Sequence, residues 1–255
     1  MNISIIAAVL PVIILLFFIY RKDKLHPEPT GKLLLTFFVG CLCAIPASFM
    51  ESLLMLFTPS EPVAGGIFTG YVVAGFSEEL CKLLLLLWVI WKSPHFDEYF
   101  DGIVYAVFLS LGFACVENIM YVLSSDDPMV IALTRGLLAV PAHFLFAVIM
   151  GYHLALAKFD LPKRRTHLFH ALLYPVLLHG TYDALLMVSD GLTKGSDNET
   201  SVGVALAGAL MLVFLVFDIL MWRWGMKRIK RLQERSKEQN FDRMHPFEGF
   251  KWDIL

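Results

Sequence analysis

The four cysteines, Cys41, Cys43, Cys81 and Cys115, include no C-x-x-C pair and all fall inside apolar stretches. That excludes a zinc ribbon and gives no sign of a disulfide framework, leaving them as small buried hydrophobes. Charge is scarce too: Asp, Glu, Lys and Arg make up 17% of the 255 residues, against about a quarter in an ordinary globular domain. The net charge of −2 gives no basic surplus, and no nucleic-acid partner is expected. Internal repeats, low-complexity tracts and a second folded domain are absent from the pattern. The first apolar stretch lacks a basic leader and a small-residue cleavage site, so it reads as a retained span and not a signal peptide.

What the chain has in abundance is apolar length, with 57% hydrophobic residues and a mean hydropathy of +0.66. Seven stretches are long enough to cross a hydrocarbon core of about 30 Å as helices: roughly Ile3–Tyr20, Leu33–Phe57, Phe68–Trp91, Ile103–Leu123, Ile131–Ala157, Leu168–Val188 and Val202–Trp224. The expected fold is an all-α polytopic membrane helix bundle of about seven transmembrane helices. It occupies residues 1–225, followed by a basic C-terminal tail at 226–255. Of the 21 Lys and Arg residues, 18 gather on one side of successive segments: Arg21, Lys22, Lys24 and Lys32; Lys92; Lys158, Lys163, Arg164 and Arg165; and nine from Arg223 to Lys251. Arg135 and Lys194 stand on the other side. Positive charge stays in the cytoplasm, which puts the N-terminus outside and the C-terminus inside a multi-pass cell-membrane protein.

Ionisable groups inside such segments are costly, at least about 2.5–3.5 kcal/mol each near the bilayer centre, and usually face the bundle interior. The third segment carries Glu78, Glu79 and Lys82, the fourth Glu117 and Asn118, the fifth His143 and His153, the sixth His179 and Asp183. At ~1.5 Å of rise per residue, Glu79 lies about 17 Å from the outer end of its segment, Glu117 about 9 Å, His143 about 18 Å and His179 about 14 Å. The four share one layer between the midplane and the outer leaflet, which points to a single site. Glu78 and Lys82 are i,i+4, as are Glu117 and Tyr121, and His179 and Asp183. Glu79 is turned about 100° from Glu78, so the two carboxylates can address different partners. His153 and Asp218 lie deeper and read as structural polar contacts or interfacial snorkelling; Glu51 is an outlier in the second segment. Each group alone reads as a satisfied interhelical hydrogen bond, whereas the set points to chemistry.

The stretches Glu78-Glu79-Leu-Cys-Lys82, Asp101-Gly-Ile-Val-Tyr-Ala, Gly112-Phe-Ala-Cys-Val-Glu117-Asn118-Ile-Met-Tyr121, Arg135 with Pro141-Ala-His143 and Gly151-Tyr, and His179-Gly-Thr-Tyr-Asp183 resemble the PrsW family of bacterial intramembrane proteases. That family is related to the CAAX-processing and bacteriocin-immunity glutamic membrane proteases. Arg21-Lys-Asp-Lys-Leu-His-Pro-Glu-Pro is similar to the family's first cytoplasmic loop. The resemblance implies an intramembrane endopeptidase that cuts a single-pass membrane protein, typically an anti-sigma factor, within the lipid bilayer near the outer face. In the related glutamic proteases, a Glu of the pair and a His activate water while a later His and Asn stabilise the oxyanion. Carried over, Glu78 is the general base with Glu79 beside it, His143 helps hold the water and His179 donates to the oxyanion. Lys82, Glu117, Asn118, Tyr121, Arg135 and Asp183 support them. Asp183 departs from that wider pattern, where Asn is frequent, and as a carboxylate it orients His179 instead of donating.

No metal cofactor is favoured. Zinc on Glu79, His143, His179 and Asp183 is the rival, weakened by the absence of an H-E-x-x-H motif. A proton pathway or transporter, which predicts inverted repeats or broken segments in both halves, and a non-catalytic binder of membrane proteins are the other classes.

Overall fold

The computed structural model describes residues 3–23, 26–194 and 201–244. Among these every regular element is helical: α1 (Ile3–Lys22), α2 (Thr30–Met55), α3 (Pro62–Phe68), a π-helical segment (Thr69–Phe76), α4 (Ser77–Ile90), α5 (Asp101–Leu123), α6 (Pro128–Leu137), α7 (Ala139–Phe159), a 3-10 turn (Leu161–Lys163), α8 (Arg164–Lys194) and α9 (Ser201–Met244). Six stretches are long and apolar enough to span a membrane, α6 and α7 counting together as one. The seventh expected span is the run α3–π–α4, whose helix is interrupted by the π turns and which carries Glu78, Glu79 and Lys82. It begins at Pro62, six residues before the expected start. Glu61 caps it by accepting from the Val63 and Ala64 N–H groups, and Pro62 occupies the first turn, where its missing N–H costs nothing.

The expected fifth span is broken at Leu138, between α6 and α7. Pro141 favours the break, because it has no N–H to offer the Leu137 carbonyl and its ring crowds that carbonyl, whereas α1, α2 and α8 continue through Pro11, Pro46 and Pro175. Arg135 lies in the last turn of α6, and His143 lies beyond the break on α7.

The centre is α5 against α7, the two helices buried along most of their length. They touch where Gly102 meets Gly151; a Cβ on Gly102 would stand 2.6 Å from the Gly151 carbonyl oxygen. Small residues that let backbones meet are the usual packing device between helices in lipid. Around this pair stand α1, α2, α8 and α9. Large side chains such as Phe38, Leu42, Ile45 and Phe49 on α2, and Leu212, Val216 and Ile219 on α9, are exposed on the outside. A patch of this extent suits hydrocarbon and not water.

One end of the bundle is stitched by basic side chains. Lys32 donates to the Val89 carbonyl (3.0 Å) and Lys158 to that of Trp91 (2.7 Å), satisfying the free carbonyls at the end of α4. α9 runs to Met244, some twenty residues beyond its expected apolar end, and this extension packs on the α4–α5 loop. Ser236 accepts from the Phe100 N–H (2.9 Å), and Asn240 donates to Glu98 (2.9 Å). The 226–255 tail of the sequence reading thus begins inside α9; residues 245–255, with Lys24 and residues 195–200, lie outside the described set.

Beneath that extension lies a buried acidic knot. Asp23 accepts from the Glu28 N–H (3.1 Å), and Tyr105 donates its hydroxyl to Glu28. Burial pushes the Glu28 carboxyl up to about 7 and that of Asp23 up to about 6. Both groups bind protons more tightly folded than unfolded. Their stabilisation is therefore complete below the unfolded values of 4.5 and 3.8 and is lost as pH rises through about 6 to 7. The thermal midpoint in detergent is expected to fall between pH 5 and pH 8. Glu28→Gln, which imitates the protonated carboxyl, should flatten that fall; an unchanged pH slope would dismiss the knot as its source.

Candidate active site

The π segment brings α8 close to the start of α4. Gly70 lies so near α8 that a Cβ there would stand 2.6 Å from the Ala184 nitrogen, and one on Gly180 would strike the Tyr71 ring. Tyr71 and Thr181 lock the contact with a 2.7 Å hydroxyl hydrogen bond. Single π turns within helices are frequent at functional sites, because they re-aim the residues that follow. Here those residues are Glu78 and Glu79, at the start of α4 facing His179 on α8.

Lys82 is the hub. Fully buried, its Nζ donates to Glu78 Oε2 (2.9 Å), Glu79 Oε1 (2.8 Å) and His143 Nδ1 (3.2 Å), with the Phe113 ring 4.1 Å away. An ammonium has only donors, so His143 Nδ1 must accept. The ring proton then sits on Nε2, which donates to Glu117 Oε2 at 2.8 Å. Glu117 is held in turn by Arg135 Nη2 (2.9 Å). Arg135 also donates from Nε to Asn118 Oδ1 (3.1 Å) and lies 3.8 Å over the Tyr121 ring. Asn118 donates to the Ala8 carbonyl (2.8 Å) and is fully buried, so it clips α5 to α1 and α6 at a distance from the glutamate pair.

His179 faces three carboxylates. Its Nδ1 is 3.0 Å from Glu79 Oε1, and its Nε2 is 3.2 Å from Asp183 Oδ2 and 3.9 Å from Glu78 Oε1. The ring stacks on Phe146, centroids 4.7 Å apart at 19°, which fixes its plane.

A cavity of about 620 Å³ opens onto this cluster. Glu78, Glu117, His143, His179 and Asp183 line it, whereas Glu79 and Lys82 lie behind its wall. Its far wall comprises Met120, Ser124, Thr134 and Leu138, at the α5–α6 turn, the opposite end of the bundle from Lys32 and Lys158.

The shared layer read from helix depth is thus one contiguous network containing Glu78, Glu79, Lys82, Glu117, His143, His179 and Asp183. The expected divergence of Glu78 and Glu79 holds only in part: both bind Lys82, and they separate beyond it, Glu79 towards His179 Nδ1 and Glu78 towards the cavity. Tyr121 pairs with Arg135 and not with Glu117 through a hydrogen bond. Asp218 leaves one buried carboxylate oxygen without a hydrogen bond among the described residues. Glu51, an outlier in the sequence pattern, lines the cavity; its charge inside an apolar segment is the signal that marks it. Phe113, Phe146 and Ser110, whose hydroxyl donates to the His143 carbonyl (3.0 Å), carried no signal that separates them from ordinary core residues.

Glu78, Glu79, His143 and His179 offer ligand atoms that all lie within 4.8 Å of one another. Carboxylate oxygen and imidazole nitrogen suit zinc. The arrangement does not: Lys82 Nζ already takes an oxygen of each glutamate and a nitrogen of His143. A dication among these atoms would meet a buried ammonium at close range, so as arranged the four residues do not fit a metal ion. Asp183 stands outside the group, on the far side of His179.

Over residues 28–225 the sequence matches the family described as "PrsW family intramembrane metalloprotease". It is 34% identical over 238 residues to Protease PrsW of Clostridioides difficile (strain 630), covering 92% of this chain and 93% of that protein. Protease PrsW of Bacillus subtilis (strain 168) is 36% identical over 237 residues, covering 91% and 97%. That of Geobacillus kaustophilus (strain HTA426) is 38% identical over 184 residues, covering 72% and 80%. No solved structure matches. The chain belongs to the PrsW family of intramembrane proteases.

Proposed function

We propose that this multi-pass protease hydrolyses a peptide bond of a single-pass membrane protein of the anti-sigma-factor kind, near the outer face, with water activated by Glu78 and His179. The observation that carries this reading is the 3.9 Å between Glu78 Oε1 and His179 Nε2 at the cavity wall. That spacing is too long for a direct hydrogen bond and suits one water at ~2.8 Å from each. Glu78 takes the water's proton as hydroxide adds to the scissile carbonyl, and the His179 N–H donates to the oxygen that gains the charge. Glu78 then returns the proton to the departing amine. His143, which also lines the cavity, is held between Lys82 and Glu117 on its two ring nitrogens, and in this reading it positions Lys82 beside the water. Glu79 holds the His179 ring through Nδ1, and Asp183, 3.2 Å from Nε2, shares that N–H until the oxyanion takes it.

The outer-face assignment rests on charge. The cavity opens at the end away from the basic residues, which places it outside if the C-terminus is cytoplasmic; a reporter fused after Leu255 should read cytoplasmic. A metal-dependent variant is the second reading, favoured by the family's description as metalloproteases. The deciding experiment incubates purified protein in detergent with a panel of single-pass substrates, before and after exhaustive chelation, and maps products by mass spectrometry. Cleavage that survives metal removal is the expected result. Zinc at one equivalent whose loss abolishes cleavage would hand the mechanism to the metal, and absence of any product from the panel would count against the substrate class.

A further inference from the structure

About 15 Å along α7 from His143, at the end of the bundle where Lys158 and Arg164 lie, three histidines converge. His153 on α7 meets His167 and His170 on α8, and ligand atoms of all three lie within 4.8 Å of one another. Ring centroids are 5.8 Å apart for His153 and His167, 5.4 Å for His153 and His170, and 6.4 Å for His167 and His170. Tyr174 closes one side, 5.0 Å from His153 and 4.8 Å from His170.

His153 is only 6% exposed, yet neither of its ring nitrogens has a hydrogen-bond partner among the described residues. A buried imidazole nitrogen ordinarily finds one. The structural polar contact expected for this residue is therefore missing, and both nitrogens are free to bind something else. His167 adds an independent sign. Its Nε2 stands 3.6 Å from Asp160 Oδ2, while its Nδ1 is buried and has no partner. A carboxylate facing one ring nitrogen at ion-pair distance while the other is bare is the kind of support found behind a metal-bound histidine, and a small ring rotation would bring Asp160 to hydrogen-bond distance. No ammonium or guanidinium hydrogen-bonds to these rings among the described residues, in contrast to the Lys82 cluster.

We propose that His153, His167 and His170 bind one divalent transition-metal ion of the zinc class, with the fourth position left to water or an exogenous ligand. Three neutral imidazoles are a sufficient set for zinc at about 2.0–2.1 Å per bond, which places tetrahedral ligands about 3.3 Å apart. Rotation of the half-buried His167 and His170 rings closes the difference. The ion would clamp the C-terminal half of α7 to the N-terminal half of α8, the same two helices that carry His143 and His179.

The test uses the full-length chain in detergent, stripped by chelator and titrated with Co²⁺, whose visible bands report nitrogen coordination, then competed with Zn²⁺. One equivalent of Co²⁺ displaced by Zn²⁺ is expected in the unaltered chain and equally in Glu78→Gln and His179→Gln. His153→Gln and His167→Gln should weaken binding by at least ~10-fold, the lower bound for disturbing even a supporting group. Because His153 is buried, His170→Gln, at a half-buried position, provides a check through folding: Zn²⁺ should raise the thermal midpoint of the unaltered chain and leave that of His170→Gln unmoved. Absence of a Co²⁺ band in excess metal overturns the proposal. So does a band that vanishes in His179→Gln and persists in His153→Gln and His170→Gln.

Discussion

Glu78→Gln is expected to slow cleavage by at least ~10²-fold, the ordinary scale of general-base catalysis, while substrate capture persists. Glutamine matches the shape of glutamate, so packing around the 4%-exposed side chain is kept. What disappears is the lone pair able to take a proton from water opposite His179 Nε2, 3.9 Å away. The amide oxygen can still accept from Lys82, so the buried ammonium keeps its contacts and the variant should fold. Co-purification of a single-pass substrate with the variant, combined with single-turnover cleavage, separates binding from chemistry. A normal rate removes Glu78 as the base. Loss of both binding and folding would mean that the residue is structural, and the non-catalytic reading would return.

Much of this network was legible in the sequence because charge inside an apolar helix is expensive enough to stand out. Glu78, Glu79, Lys82, Glu117, His143, His179 and Asp183 are each conspicuous, and rise per residue alone puts four of them in one layer. What the pattern could not give was direction. That Lys82 reaches His143 on another helix depends on the α4–α5–α7 arrangement, and that Glu79 turns towards His179 depends on the close approach of the π segment to α8 at Gly70 and Gly180. No periodicity announces a π turn. The length of α9 was hidden for a different reason: beyond Trp224 it changes from a lipid-facing helix to a polar one docked on the α4–α5 loop, and a hydropathy pattern stops where the lipid does. Its anchors, Ser236 and Asn240, look like ordinary surface residues until their partners Phe100 and Glu98 are seen.

Lys82→Met should both disarm and destabilise the protein. The ammonium is fully buried between two glutamates and a histidine, so its removal leaves Glu78, Glu79 and His143 Nδ1 without their shared donor. Breaking a buried charge cluster by deleting one partner costs about 3–5 kcal/mol, because the surviving charges keep their burial and lose their compensation. Methionine preserves volume, so little of that loss would come from a cavity. The expected readings are a clear drop in thermal midpoint and activity reduced to the level of Glu78→Gln. The cause can be separated from packing by adding Glu79→Gln: Glu79 is fully buried behind the cavity wall, so neutralising it relieves one orphaned charge. The double variant should recover part of the lost stability without recovering activity, since the Glu78 carboxylate still lacks its partner. Near-additive destabilisation in the double variant would show that Lys82 and Glu79 are not coupled. A Lys82→Met protein as stable and active as the unaltered chain would show that the lysine is not the hub on which the site is built.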